Sequence, residues 1–209
     1  HYAHQAGDVY LNKKIYDMLL PLFKSQKYIH SVEVYKDQKI DINFDLIREL
    51  PINLLFDNLR YGFLIAGVQP YTNEPYLNIE PHQNFKDKIV ILRSQRYKNQ
   101  FISYKFIEKY NNTLFVGTKI EFDELKKEIS NLEFHECKDF LEMAQIIKSS
   151  KFFIGNQSIA YPMAEALKVP RILEAEPYFP VVQPIGKDAY DFYYQPHFEK
   201  WFKHLDEKF

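Results

Sequence analysis

The segment Lys151 to Glu174, KFFIGNQSIAYPMAEALKVPRILE, constrains this chain most, because it reads as strand, turn, helix and strand without interruption. Phe152, Phe153 and Ile154 form a short apolar run suited to a strand buried on both faces. Gly155-Asn156-Gln157-Ser158 breaks that run with a permissive backbone and small hydrogen-bonding side chains, as the start of a helix requires. Ile159, Met163, Ala166 and Leu167 then recur at helical spacing, and Val169 to Leu173 resumes an extended apolar run. The turn at the carboxyl end of such a strand gathers unpaired N–H groups and the positive end of a helix dipole, a setting that suits phosphate. The same Gly and Asn also serve turn geometry alone.

Upstream, the alternation continues. Strands are expected at Ile89 to Leu92, Thr113 to Val116 and Leu132 to Glu136, and helices at Phe101 to Tyr110, Phe122 to Ile129 and Phe140 to Lys148. Short strands separated by amphipathic helices predict a parallel sheet covered on both faces, with right-handed crossovers. Ala189 to Leu205 carries Phe192, Tyr193, Phe198, Trp201, Phe202 and Leu205, and predicts a terminal helix packed on that domain.

The first 85 residues are less regular. Ile15 to Phe23, Phe44 to Glu49 and Leu54 to Gly67 read as helices, and Ser31 to Tyr35 as a strand. Turn chemistry at Gln69 to Pro75 and at Pro81 to Asn84 places a linker near residues 75 to 87. The expected organisation is a partial α/β unit over 1–80 and a parallel-sheet domain with a C-terminal helix over 87–209.

With 46% hydrophobic and 17% aromatic residues the chain can bury a genuine core. A net charge of −1 without a basic run argues against nucleic acid as a partner and confines anion recognition to a local site. The lone Cys137 permits no internal disulfide and suits a reducing, cytoplasmic setting. No apolar stretch reaches the roughly 18 residues of a membrane helix, so no transmembrane segment is expected, although peripheral membrane association is compatible with the sequence.

The order strand, basic loop, helix, strand ending in Gly, helix, strand, helix and strand-GNxS-helix-VP-strand resembles the C-terminal half of GT-B glycosyltransferases. The likeness is to the bacterial lipopolysaccharide heptosyltransferases, glycosyltransferase family 9. It rests on Gly155-Asn156-Gln157-Ser158-Ile159, Ala164-Glu165-Ala166-Leu167 and Lys168-Val169-Pro170, where the family carries Gly-Asn-Asp-Ser-Gly, an alanine-rich helix and Gly-Val-Pro. It covers residues 87 to 186, and residues 10 to 80 more loosely. The resemblance implies a GT-B-like α/β fold: a Rossmann-like, parallel-sheet C-terminal domain plus a smaller, incomplete α/β N-terminal domain. It also implies inverting, metal-independent glycosyl transfer from a nucleotide-diphosphate sugar to a hydroxyl acceptor on a glycan or glycolipid, with that sugar as substrate and no cofactor. Gln157 and Ile159 depart from the family's Asp and Gly, so the expected donor sugar is not heptose.

Such chemistry needs cations or amides at the departing diphosphate. Arg93, Ser94 and Arg96 follow the first strand of the sheet domain, Gly117 ends the second, and Asn156, Gln157 and Ser158 end the fourth. With Glu174 as an acceptor for ribose or sugar hydroxyls, these are the expected donor-binding residues. Glu174 is equally placed to pair with Arg171, and Glu165 with Lys168. Asp8 is the candidate catalytic base, with His4, Asp41 and Asp45 as others in the acceptor half, and each also suits an ordinary surface or cap role. No metal is expected: the sequence holds no Asp-x-Asp, HExxH or CxxC, and also no GxSxG or Walker loop.

Two other readings stand beside this one. The chain is a non-catalytic sugar-nucleotide-binding or assembly module that has lost its acceptor half, or a fragment of a longer GT-B enzyme, since two complete Rossmann-like domains usually need well over roughly 300 residues. A dinucleotide oxidoreductase is disfavoured because no GxGxxG follows an expected strand.

Overall fold

A computed structural model describes residues 12–51, 58–69, 71–178 and 182–209. Its centre is a six-stranded, wholly parallel sheet: β1 (Ile89–Leu92), β2 (Thr113–Val116), β3 (Glu133–His135), β4 (Phe152–Asn156), β5 (Arg171–Glu174) and β6 (Ala189–Phe192), in the order 3-2-1-4-5-6. The order reverses between β1 and β4, which is the doubly wound arrangement with its switch point there.

Strand alternation divides the core in two. Val90, Leu92, Leu114, Val116, Phe153 and Leu173 face one side, where they meet α1 (Lys13–Lys24), α4 (Phe140–Ser149) and α5 (Ala160–Leu167). Ile89, Ile91, Phe115, Phe152, Ile154, Ile172 and Phe192 face the other, under Leu125 of α3 (Lys119–Leu125) and α6 (Gln195–Lys208). Burial on both faces explains why β1, β2 and β4 read as unbroken apolar runs rather than alternating ones. Gly155 is required by this packing: a Cβ there would lie 2.6 Å from the Phe153 ring and 3.1 Å from the Leu92 carbonyl of the neighbouring strand.

Several expected elements change. Ser31 to Tyr35 is not a strand but mostly exposed chain, with Val34 and Tyr35 each 62% exposed; a strand needs a partner edge, and none reaches it. The described residues before β1 therefore hold helices only, including α2 (Asn58–Ala66) and a 3-10 turn at Phe44–Arg48. α1 packs against α4 of the sheet domain, contributing Ile15, Met18, Leu19 and Leu22 to its core. The helix expected over 101–110 shrinks to a 3-10 turn at Lys105–Lys109, because Ile102, Tyr104 and Ile107 all point into the core. Ala189 to Phe192 is the edge strand β6 rather than the first turn of the terminal helix, which begins at Gln195 with Pro196 in its first turn.

α5 ends at Lys168, which adopts a left-handed conformation (φ 53°) that glycine usually supplies. Its ammonium pairs with Glu165 and donates to the Ile185 carbonyl at 3.2 Å. Glu165 also accepts from Arg171 Nε at 2.6 Å, and the fully buried Arg171 donates through Nη1 to the Val169 carbonyl at 2.9 Å. Arg171 thus pairs with Glu165 and not with Glu174.

Candidate functional site

At the carboxyl edge of the sheet a cavity of about 860 Å³ opens over the ends of β1, β2 and β3. Its apolar wall includes Ile15, Met18, Leu92, Phe140, Met143 and Ile159; Lys14, Arg96, Lys119 and Lys138 supply cations and Glu121 and Glu136 carboxylates. Lys14, Arg96 and Lys138 form no ion pair among the described residues, whereas Lys119 pairs with Asp123. Helix α1 closes one side, which is the positional consequence of its apolar stripe docking on α4.

The expected donor-binding residues divide into two groups. Arg96 and Gly117 line the cavity. Gly117 also allows the strand end to lie against the Phe115 ring, which a Cβ would approach to 2.7 Å.

Arg93 and Glu174 lie outside this cavity and pair with each other. Arg93 Nε donates to Glu174 Oε2 at 2.7 Å and Nη2 to Oε1 at 2.9 Å, and Nη2 also reaches the carbonyls of Asn99 (3.0 Å) and Ile102 (3.1 Å). Tyr104 Oη donates to Glu174 Oε2 at 2.8 Å, Asn99 N–H to Oε1 at 2.7 Å, and the Arg93 guanidinium carbon lies 4.5 Å from the centre of the Tyr104 ring. Burial works against the Arg93 charge, but Glu174, Tyr104 and Glu128 together outweigh it and raise its pKa; burial, with Glu174 adding, raises Tyr104 well above the usual phenol range. A guanidinium so engaged has little left to offer a diphosphate. The charge that Arg93 carries at the end of a buried strand is matched by a buried carboxylate on β5.

Asn156, fully buried, reaches across the switch point and clips the backbone of β1's exit: its Oδ1 accepts from Ser94 N–H at 3.0 Å and its Nδ2 donates to the Ser94 carbonyl at 2.6 Å. Asn156→Ala should cost about 1–3 kcal/mol, since it leaves a buried donor and acceptor unpaired; the shift in urea midpoint measures it. Gln157 is buried and accepts from Glu176 N–H at 3.1 Å through its Oε1. The hydroxyls of Ser94 and Ser158 are buried at this same edge without a hydrogen-bond partner.

Glu121 occupies the start of α3, accepting from Thr118 N–H (3.2 Å) and Thr118 Oγ1 (2.8 Å) in a capping box. A carboxylate already fills that N-terminus. Asp8 and His4 lie outside the described residues. Asp41 faces Lys39 at 3.4 Å on the surface, and neither it nor Asp45 lines the cavity. Glu136, exposed beside Cys137, is the carboxylate that sequence reasoning missed; its place at the end of β3 was the available signal. Burial, with Glu142 and Asp139 adding, pushes the Cys137 thiol up to about 12.

Fold and site together define a Rossmann-like, doubly wound α/β protein with a crevice of apolar and charged side chains at the carboxyl ends of its strands. No family model and no curated protein matches the sequence. Among solved structures the chain is similar to the glycosyl transferase family 9 protein from Veillonella parvula DSM 2008, at 12% identity and a TM-score of 0.46 over 72% of this chain. It spans about half the length of that protein, 52%. No helix among the described residues is long and apolar enough to cross a membrane.

Proposed function

We propose that the cavity binds a nucleotide-diphosphate sugar and that the protein takes part in inverting, metal-independent transfer of the sugar to a hydroxyl of a glycan or glycolipid. The observation that carries this reading is the convergence of Arg96, Lys14 and Lys138, none of them ion-paired among the described residues, on one roomy crevice at the carboxyl edge of a parallel sheet. The sequence likeness around Gly155 to Pro170 supplies the chemistry. Arg96 and the two lysines meet the diphosphate, which loses its sugar as the glycosidic bond to the acceptor forms, and the donor hydroxyls meet Glu136. Glu136 is the group in the cavity able to accept the acceptor's proton.

Thermal unfolding with a panel of nucleoside diphosphates at millimolar concentration tests binding, because a ligand of the folded state raises the transition with the logarithm of its concentration over its dissociation constant. At least one nucleotide is expected to stabilise the chain, and Arg96→Ala should weaken it about 10- to 100-fold, the worth of one charge-assisted hydrogen bond. Absence of any shift overturns the reading. Nucleoside diphosphate release from the matching sugar nucleotide, slowed in Glu136→Gln while binding persists, separates a transferase from a module that only binds.

A further inference from the structure

We infer that His135 Nε2, Cys137 Sγ and the Glu142 carboxylate form a zinc-class divalent cation site at the corner where β3 turns into α4. One ligand atom from each of the three lies within 4.8 Å of the others. A tetrahedral Zn²⁺ with ordinary bond lengths holds nitrogen, sulfur and oxygen ligands about 3.3 to 3.6 Å apart, so side-chain rotation alone closes the set. The mix of imidazole, thiolate and carboxylate suits Zn²⁺ and argues against Mg²⁺ or Ca²⁺, which take oxygen.

The corner is built for this convergence. His135 is the last residue of β3 and Cys137 follows two residues on, with their ligand atoms on the same side of the chain, within 4.8 Å. Asp139 caps α4 by accepting from Glu142 N–H at 2.8 Å, so Glu142 stands in the first helical turn and turns back. One of its oxygens accepts from Lys138 N–H at 2.7 Å; the other lies 3.1 Å from His135 Nε2. All three side chains are partly buried rather than splayed into solvent.

A second histidine lies beside the set. His82 Nδ1 accepts from Asn84 N–H at 3.2 Å, which leaves Nε2 as the protonated nitrogen of the neutral ring, and Nε2 lies 3.9 Å from Glu142 Oε1. At that distance a neutral His82 neither ligates nor hydrogen-bonds the carboxylate; it packs beside the set. Phe85 covers the set, its ring centre 4.7 Å from that of His135 and 4.8 Å from that of His82. A cation here would tie the end of β3 to the first turn of α4 and fix Cys137, which lines the cavity. The site stands on its own residues and does not depend on sugar-nucleotide binding.

The test uses the full chain, stripped by dialysis against a chelator and then titrated with Zn²⁺ by calorimetry and with Co²⁺ by absorbance. Because Cys137 is the single cysteine of the sequence, a thiolate-to-cobalt charge-transfer band reports this site and no histidine-only binding elsewhere. The expected result is one Zn²⁺ per chain, the band in the wild-type protein, its loss in Cys137→Ser, and loss of tight Zn²⁺ binding in His135→Ala. The band is read on the unmodified chain, so a variant that fails to fold does not leave the question open. A folded, metal-free wild-type protein that gives no band with Co²⁺, or that binds Zn²⁺ as tightly after Cys137→Ser, overturns the inference.

Discussion

Replacing Arg93 by alanine is expected to remove about 3–5 kcal/mol of folding stability, the cost of leaving one member of a buried ion pair without its partner. Glu174 is wholly inaccessible and Arg93 is 5% exposed, so water cannot take over for the missing charge. The orphaned carboxylate would keep only Tyr104 Oη and Asn99 N–H. Urea denaturation measures the loss, and a double-mutant cycle with Glu174→Ala should show strong coupling, with the pair of changes costing far less than the sum. Arg93→Met with Glu174→Leu should recover much of the stability, because a desolvated pair contributes little net against well-packed apolar side chains. The discriminating outcome is the opposite one: an Arg93→Ala protein of ordinary stability but reduced nucleotide affinity would return this arginine to the ligand.

Phe198→Ala is expected to cost about 3–5 kcal/mol, in the range of large aromatic truncations that leave a void. The ring is fully buried on α6, stacked on Phe192 at 4.0 Å between centres, 4.7 Å from Tyr104 and edge-on to Phe106 at 4.9 Å. Its loss would loosen the terminal helix from the edge strand β6 and from the residues that hold Arg93 and Glu174. Thermal unfolding should therefore show a large drop, whereas Phe209→Ala, at the half-exposed chain end, should change little. Equal effects at the two positions would mean that α6 is not anchored as described.

The sheet is legible in the sequence because its strands are short apolar runs with no competing helical period. Ile89 to Leu92 and Thr113 to Val116 coincide with β1 and β2 to the residue, and the strand, helix and strand of 151–174 appear in the expected order, with β4 running on through Gly155 and Asn156 and β5 starting only at Arg171. Ala189 to Phe192 misleads because an edge strand shows the same mixture of aromatic and polar residues as an amphipathic helix; Pro196 is the better boundary signal. Ser31 to Tyr35 alternates as a strand does, but alternation cannot supply a neighbour to pair with.

At the site, sequence placed Arg93, Asn156 and Glu174 at strand ends correctly, yet position at a sheet edge does not distinguish a side chain aimed outward from one aimed across. The Arg93 and Glu174 partnership spans 81 residues and leaves no local trace. Arg96, one turn further along the same loop, is the cation that faces the crevice. Lys14 of α1 gives no signal in the sequence, because it belongs to a helix whose docking place only the three-dimensional packing reveals.

At Lys168 a backbone turn is held by charge. A left-handed non-glycine residue resists its own conformation, so the exit from α5 stays in place through the ammonium's hold on Glu165 and the Ile185 carbonyl. Because Glu165 also grips Arg171, the first residue of β5, one side chain pins the exit of a helix and the entry of the next strand at the same point.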